Sequence, residues 1–166
     1  MSRISTLVAF AMVLAIATSS APALAAEEFF SAKLRGGNET PLTISTAGTG
    51  VWAAQLDSAE TTLTYVLSYD ALEGGTVTAA HIHLGQPGIT GGIVIHFCGT
   101  GGKPACPAPP GLISATATSA DVVAVPTQGI AAGEFAEVVR AMRRGDTYVN
   151  VHTTTYPGGE IRGPIH

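Results

Sequence analysis

Two histidines separated by one residue, His81 and His83, stand in the run Ala80-His81-Ile82-His83-Leu84. A third, His152, closes the run Tyr148-Val149-Asn150-Val151-His152 near the C-terminus. In an extended strand, residues two apart project to the same face. His81 and His83 therefore stand side by side, while Ala80, Ile82 and Leu84 form an apolar opposite face. The second run has matching parity, with Val149 and Val151 on its apolar side and Tyr148, Asn150 and His152 on its polar one. If the two strands are neighbours, three imidazoles converge on the outer surface of the sheet. Imidazole nitrogens suit copper or zinc and serve calcium or magnesium poorly. Two readings follow: one metal ion held through the surface histidines His81, His83 and His152, or a polar hydrogen-bonding cluster without an ion. An ion about 2.0 to 2.1 Å from each nitrogen requires gaps of roughly 3 to 4 Å between the nitrogens. Binding should weaken as pH falls below the ordinary histidine pKa of ~6.5.

Other residues could serve this site or stand apart from it. His96 shares parity with Val94 and Cys98, and is read either as a fourth ligand or as a donor that steadies a loop. Arg162 and Glu160, two apart near the C-terminus, admit two readings. The guanidinium could steer a small anion toward a metal. Alternatively they play an ordinary surface role, as an ion pair or with Glu160 holding a histidine tautomer or bridging to Arg162. Asn150, on the face of His152, joins Glu160 as a candidate supporting residue. Cys98 and Cys106 bracket a seven-residue glycine-containing loop. In an oxidising compartment they form a disulfide; a thiolate metal site with His96 is the competing reading. No Gly-x-Ser-x-Gly elbow, Walker loop, dinucleotide fingerprint or His-Glu-x-x-His helix is present, which leaves hydrolase and nucleotide chemistry without support.

The elements that must position these groups are strands. Leu63, Tyr65, Leu67 and Tyr69 alternate with Thr62, Thr64, Val66 and Ser68, the pattern of a half-buried strand. Comparable runs fall at 29–35, 50–56, 77–84, 92–97, 112–118, 148–153 and 160–165, with Gly-, Pro- and Asn-rich turns between them. Seven or eight such strands predict an all-β antiparallel sandwich or barrel. One segment breaks the period: Phe135, Val138, Val139 and Met142 lie at helical spacing, so Glu134 to Arg144 is predicted as a short amphipathic helix ended by Gly145.

Charge is scarce, 12% of 166 residues, and the formal net charge is −4. That gives no electrostatic reason to bind nucleic acid or anionic lipid. The hydrophobic share of 46% is ample for a packed core. Residues 1–25 read as an address: Arg3, an apolar run from Ile4 to Ala17, then Ala23-Leu24-Ala25 as a cleavage site. The apolar run is shorter than a membrane-spanning helix needs. The expectation is a secretory signal at 1–25 and one domain at 26–166, secreted or periplasmic, with no membrane anchor after cleavage.

Three stretches taken in order carry a family resemblance. They are Phe30-Ser31-Ala32-Lys33-Leu34-Arg35-Gly36-Gly37-Asn38-Glu39-Thr40-Pro41, then Ala79-Ala80-His81-Ile82-His83-Leu84-Gly85, then Tyr148-Val149-Asn150-Val151-His152-Thr153 with Gly159-Glu160-Ile161-Arg162-Gly163. Together they resemble the CHRD domain, named after chordin and found in many exported bacterial proteins, over nearly the whole chain beyond the signal. The layout of His-x-His, a later Val-His and Gly-x-x-Arg-Gly is also similar to that of copper/zinc superoxide dismutases. This similarity implies a Greek-key sandwich of eight strands, with His81, His83 and His152 matching copper ligands and Arg162 matching the anion-guiding arginine. The zinc cluster of those enzymes has no counterpart here, and Cys98 and Cys106 do not match their disulfide in position. The implied functions are copper handling or redox use by an exported protein, a non-catalytic extracellular module in which the histidines and Glu39 only order loops, or a copper-only dismutase-like enzyme.

Overall fold

The computed structural model describes residues 26–166; the signal-peptide expectation at 1–25 lies outside the described residues. Eight antiparallel strands form one sheet: β1 (Glu28–Arg35), β2 (Thr49–Leu56), β3 (Leu63–Asp70), β4 (Val77–Leu84), β5 (Gly92–Cys98), β6 (Gly111–Ala117), β7 (Thr147–Thr153) and β8 (Ile161–Pro164), in the order β5-β4-β7-β8-β1-β2-β3-β6. Each predicted strand is present, with ends moved by a residue or two. The two edges come together because the chain leaving β6 turns back along β5. Ile95 and Val122 form a bridge, and Val123 N donates to Val94 O at 2.9 Å. The sheet is thus a nearly closed barrel in which β7 returns beside β4, the Greek-key crossing.

Alternation fills the barrel. The inward residues of β2 and β3, among them Trp52, Leu56, Leu63, Tyr65 and Leu67, are buried, while their neighbours face water. They meet Ile82, Ile95, Phe97, Val149, Val151 and Ile161 from the other side. Phe97 packs against Tyr65 with ring centroids 4.5 Å apart. The predicted helix is α1 (Phe135–Arg143), which buries Phe135, Val138, Val139 and Met142. Its end is a Schellman turn: Gly145, at φ +71°, donates to Met142 O at 2.9 Å, and Asp146 N donates to Ala141 O at 3.0 Å. Arg143 bonds Glu28 and Glu60, and Arg144 pairs with Asp146, so these cations are locally neutralised.

Strand β4 departs from the half-buried pattern. From Ala79 to His83 every residue is buried, so both faces of this strand are covered. The core lies on one side; on the other lie the loop from Gly99 to Ala105, the β4–β5 connection and the turn between β7 and β8.

Candidate metal centre

Strands β4 and β7 are neighbours, and their register sets His81 opposite Asn150, His83 opposite Tyr148, and Ala79 opposite His152. This brings the three predicted imidazoles together, with ring centroids 5.4 Å apart for His81 and His83, 5.0 Å for His81 and His152, and 6.0 Å for His83 and His152. Each ring offers a nitrogen within 4.8 Å of the others, an arrangement able to hold a metal ion. Lone pairs turned toward one point repel. A shared ion at about 2.0 to 2.1 Å would draw the nitrogens to roughly 3 to 4 Å from one another.

The expectation of surface histidines is corrected. His81 is 3% exposed and His83 8%, with His152 partly buried. Period-two spacing assigned the face properly, but it says nothing of what covers a face, and here loops cover it. Burial determines the electrostatics. It lowers the pKa of His81 to about 3, helped by the neighbouring His152, His83 and His96. It lowers His83 to about 4 against the opposing bond to Gly91, and it also lowers His152. All three rings are therefore neutral at pH 7, the form in which imidazole binds metal.

Hydrogen bonds determine which nitrogen each ring presents. His83 Nδ1 donates to the carbonyl of Gly91 at 3.0 Å, and His152 Nδ1 donates to the carbonyl of Pro157 at 3.0 Å. A carbonyl only accepts, so both protons sit on Nδ1 and both Nε2 atoms carry lone pairs. His81 is turned the other way, with Nε2 2.7 Å from Thr100 Oγ1. The remaining nitrogens, His81 Nδ1, His83 Nε2 and His152 Nε2, are buried and have no partner among the described residues. Three buried ring nitrogens without a hydrogen-bond partner lie together, two of them with bare lone pairs, and the residues fit a metal ion.

The surrounding residues take other places than the spacing implied. His96 pairs across from His81, and its Nδ1 lies 2.9 Å from Thr100 Oγ1, outside the triad. Cys98 and Cys106 are disulfide-bonded, which removes the thiolate alternative. Glu160 is corrected: it touches neither a histidine nor Arg162. It is fully buried, accepting from Glu73 N at 2.7 Å, Gly74 N at 2.9 Å and Thr153 Oγ1 at 2.8 Å. Its carboxylate faces into the barrel end because the loop after β3 supplies backbone donors there. A Cβ at Gly74 would lie 1.9 Å from Thr153 Oγ1, so this approach requires glycine. Asn150 Nδ2 donates to Glu39 Oε1 at 2.6 Å and to Ile161 O at 3.1 Å, bonding no histidine directly.

Arg162 is 3% exposed, and its donors go to Thr40 Oγ1 and the carbonyls of Gln86 and Ile89. Its guanidinium carbon lies 3.4 Å from the Tyr148 ring centroid, a cation–π contact. Tyr148 in turn stacks parallel to His83, with centroids 4.8 Å apart. The phenol oxygen accepts from Gly91 N at 3.2 Å, so Gly91 holds Tyr148 through its amide and His83 through its carbonyl. Of these supports, Tyr148 had a signal in its shared parity with His152; Gly91 and Thr100 lie in loops, where no periodicity marks a role.

The comparison that decides the family covers the same residues. The model of the CHRD domain matches positions 30–165, nearly all of the described chain. The chain belongs to the CHRD family. No curated protein and no solved structure matches it. Within this CHRD domain the histidine triad lies on the neighbouring strands β4 and β7, the positions of the second and third resembling stretches. No helix among the described residues is long and apolar enough to cross a membrane, and the disulfide fits an extracellular setting.

Proposed function

We propose that this protein is an exported CHRD-domain protein that binds one copper ion through His81 Nδ1, His83 Nε2 and His152 Nε2, for copper handling or redox use. The single observation that carries the reading is the set of three buried, unpartnered imidazole nitrogens, with the opposite nitrogen of His83 and of His152 tied to a carbonyl. A polar cluster built only for hydrogen bonding would not leave three ring nitrogens unpaired in the interior, where each such group costs about 1 to 3 kcal/mol.

Donor chemistry favours copper over zinc. The set is three neutral nitrogens with no carboxylate or thiolate; structural zinc takes four protein ligands, and a three-histidine zinc site needs a water in its fourth position. Burying a divalent charge without an anion is costly, and a monovalent cuprous ion halves that charge. Glu39, bonded to Asn150 across from His81, is pushed up to about 7 by burial, so it supplies only a partial countercharge. Burial of the donor atoms, with Arg162 occupied by carbonyls, favours retention of the ion over turnover of a small anion. Reading residues 1–25 as a secretory signal places the site outside the cytoplasm.

The test is titration of purified protein with Cu+ and with Zn2+ against a competing chelator, for wild type and for His81→Ala, His83→Ala and His152→Ala. One tightly held Cu+ per chain, lost in each variant, is the expected result. Equal and negligible uptake by all four proteins would leave the interaction-module reading.

A further inference from the structure

The site uses opposite ring nitrogens. His83 and His152 present Nε2, whereas His81 presents Nδ1. Carbonyl acceptors account for the first two, but His81 Nε2 meets a hydroxyl, which can donate or accept. Thr100 Oγ1 lies 2.7 Å from His81 Nε2 and 2.9 Å from His96 Nδ1. A hydroxyl has one hydrogen and two lone pairs, so it donates to at most one of these rings and accepts from at least one. If it donated to His81, the ring proton would sit on Nδ1, in the centre of the triad, and block a cation. If it accepts from His81 Nε2, the Nδ1 lone pair is free, and the hydroxyl hydrogen is left for His96 Nδ1.

We propose that Thr100 is the positioning residue of the metal centre: it accepts the Nε2 proton of His81, donates its own to His96, and so fixes His81 with Nδ1 bare toward His83 and His152. This rests on the metal reading above. The fold holds Thr100 in place for the task. It sits in the loop closed by the Cys98–Cys106 bond, whose Cα atoms are 5.0 Å apart. Within that loop Gly99 N donates to Pro104 O at 2.7 Å and Lys103 N to Thr100 O at 3.1 Å, and Lys103 Nζ is anchored to Asp121 at 2.6 Å. At Gly101 a Cβ would stand 2.4 Å from the His96 ring, so the loop backbone packs against that imidazole. Residue 100 is itself exposed on the loop, with its hydroxyl bonded to the rings. Removing that hydroxyl therefore leaves the core untouched.

The experiment compares wild type, Thr100→Val and Thr100→Ser, each titrated with Cu+ against a chelator and then examined, copper-loaded, by 1H–15N spectra of the histidine rings. Loss of such a supporting bond to a ligand histidine costs about 10- to 100-fold in metal affinity. Thr100→Val should show that loss while melting near the wild-type temperature, and Thr100→Ser should restore it. In the wild-type spectrum His81 should carry its proton on Nε2, slowly exchanging, and that protection should vanish in Thr100→Val. Wild-type affinity and an unchanged His81 signal in Thr100→Val would overturn the role of Thr100 while leaving the metal centre standing. Failure of the wild type to bind Cu+ would instead remove the centre itself.

Discussion

The Nδ1 atom of His83 and the carbonyl oxygen of Gly91 stand 3.0 Å apart, and this contact alone decides that His83 presents Nε2 to its neighbours. Gly91 is not replaceable by a larger residue: a Cβ there would lie 1.6 Å from Leu84 O. Gly91→Ala should push the β4–β5 connection away from the end of β4, freeing the His83 tautomer and the Tyr148 hydroxyl together. Copper affinity should fall about 10- to 100-fold, the range for losing a supporting bond to a ligand histidine. A chelator competition measures it, and wild-type affinity would show that the carbonyl is dispensable.

Apo-protein stability should depend on pH through the same histidines. Their folded pKa values, about 3 for His81 and about 4 for His83, lie below the unfolded value near ~6.5. Between these limits the unfolded chain binds more protons, so stability rises with pH from about 3 to 6.5 and is lost as pH falls. Copper should also be retained somewhat below pH 6.5, because His81 and His83 stay neutral there. Urea melts across this range check the slope, which should flatten in a His81→Ala, His83→Ala double variant.

Glu39 acts with the opposite sign. Burial raises its pKa to about 7, against the lowering effect of Asn150 and Arg162. Its contribution is full below the unfolded value near ~4.3 and is lost as pH rises through about 7. Glu39→Gln keeps an oxygen to accept from Asn150 without that titration. The variant should therefore be the more stable protein above pH 7, and a lower melting temperature than wild type at pH 8 would contradict the assignment.

Arg162 should matter through Tyr148 and His83. Arg162→Lys keeps the charge but cannot fork to Thr40, Gln86 and Ile89, and should destabilise by about 1 to 3 kcal/mol in urea melts. Arg162→Met also removes the positive charge that helps hold the His83 pKa down, so His83 should protonate at higher pH than in wild type. An NMR titration of the ring protons separates the two variants.

Opening the disulfide should cost stability and metal together. The chain-entropy model gives about 2 to 3 kcal/mol for so short a loop. Because the loop carries Thr100, a Cys98→Ala, Cys106→Ala variant should also bind Cu+ more weakly. Unfolding curves and chelator titrations of the same preparations check both.

The strands were legible because alternation is a local property: Leu63, Tyr65, Leu67 and Tyr69 could bury one side only as a strand. The helix was legible for the same reason, with Phe135, Val138, Val139 and Met142 one turn apart. The shared face of His81, His83 and His152 followed from parity once β4 and β7 proved to be neighbours. What remained hidden depends on loops. The burial of His81 and His83, the carbonyls of Gly91 and Pro157, and the hydroxyl of Thr100 all come from segments whose course no periodicity encodes. Glu160 was misread because a charged residue near a strand start suggests a surface pair, whereas backbone amides of a distant loop satisfy it inside.

X-ray absorption at the copper edge of the loaded protein tests the centre most directly. The account predicts one copper per chain with three imidazole nitrogens at about 2.0 Å, and loss of that signature in His152→Ala. Copper bound with sulfur or with no imidazole scattering, or a signature unchanged in His152→Ala, would contradict it.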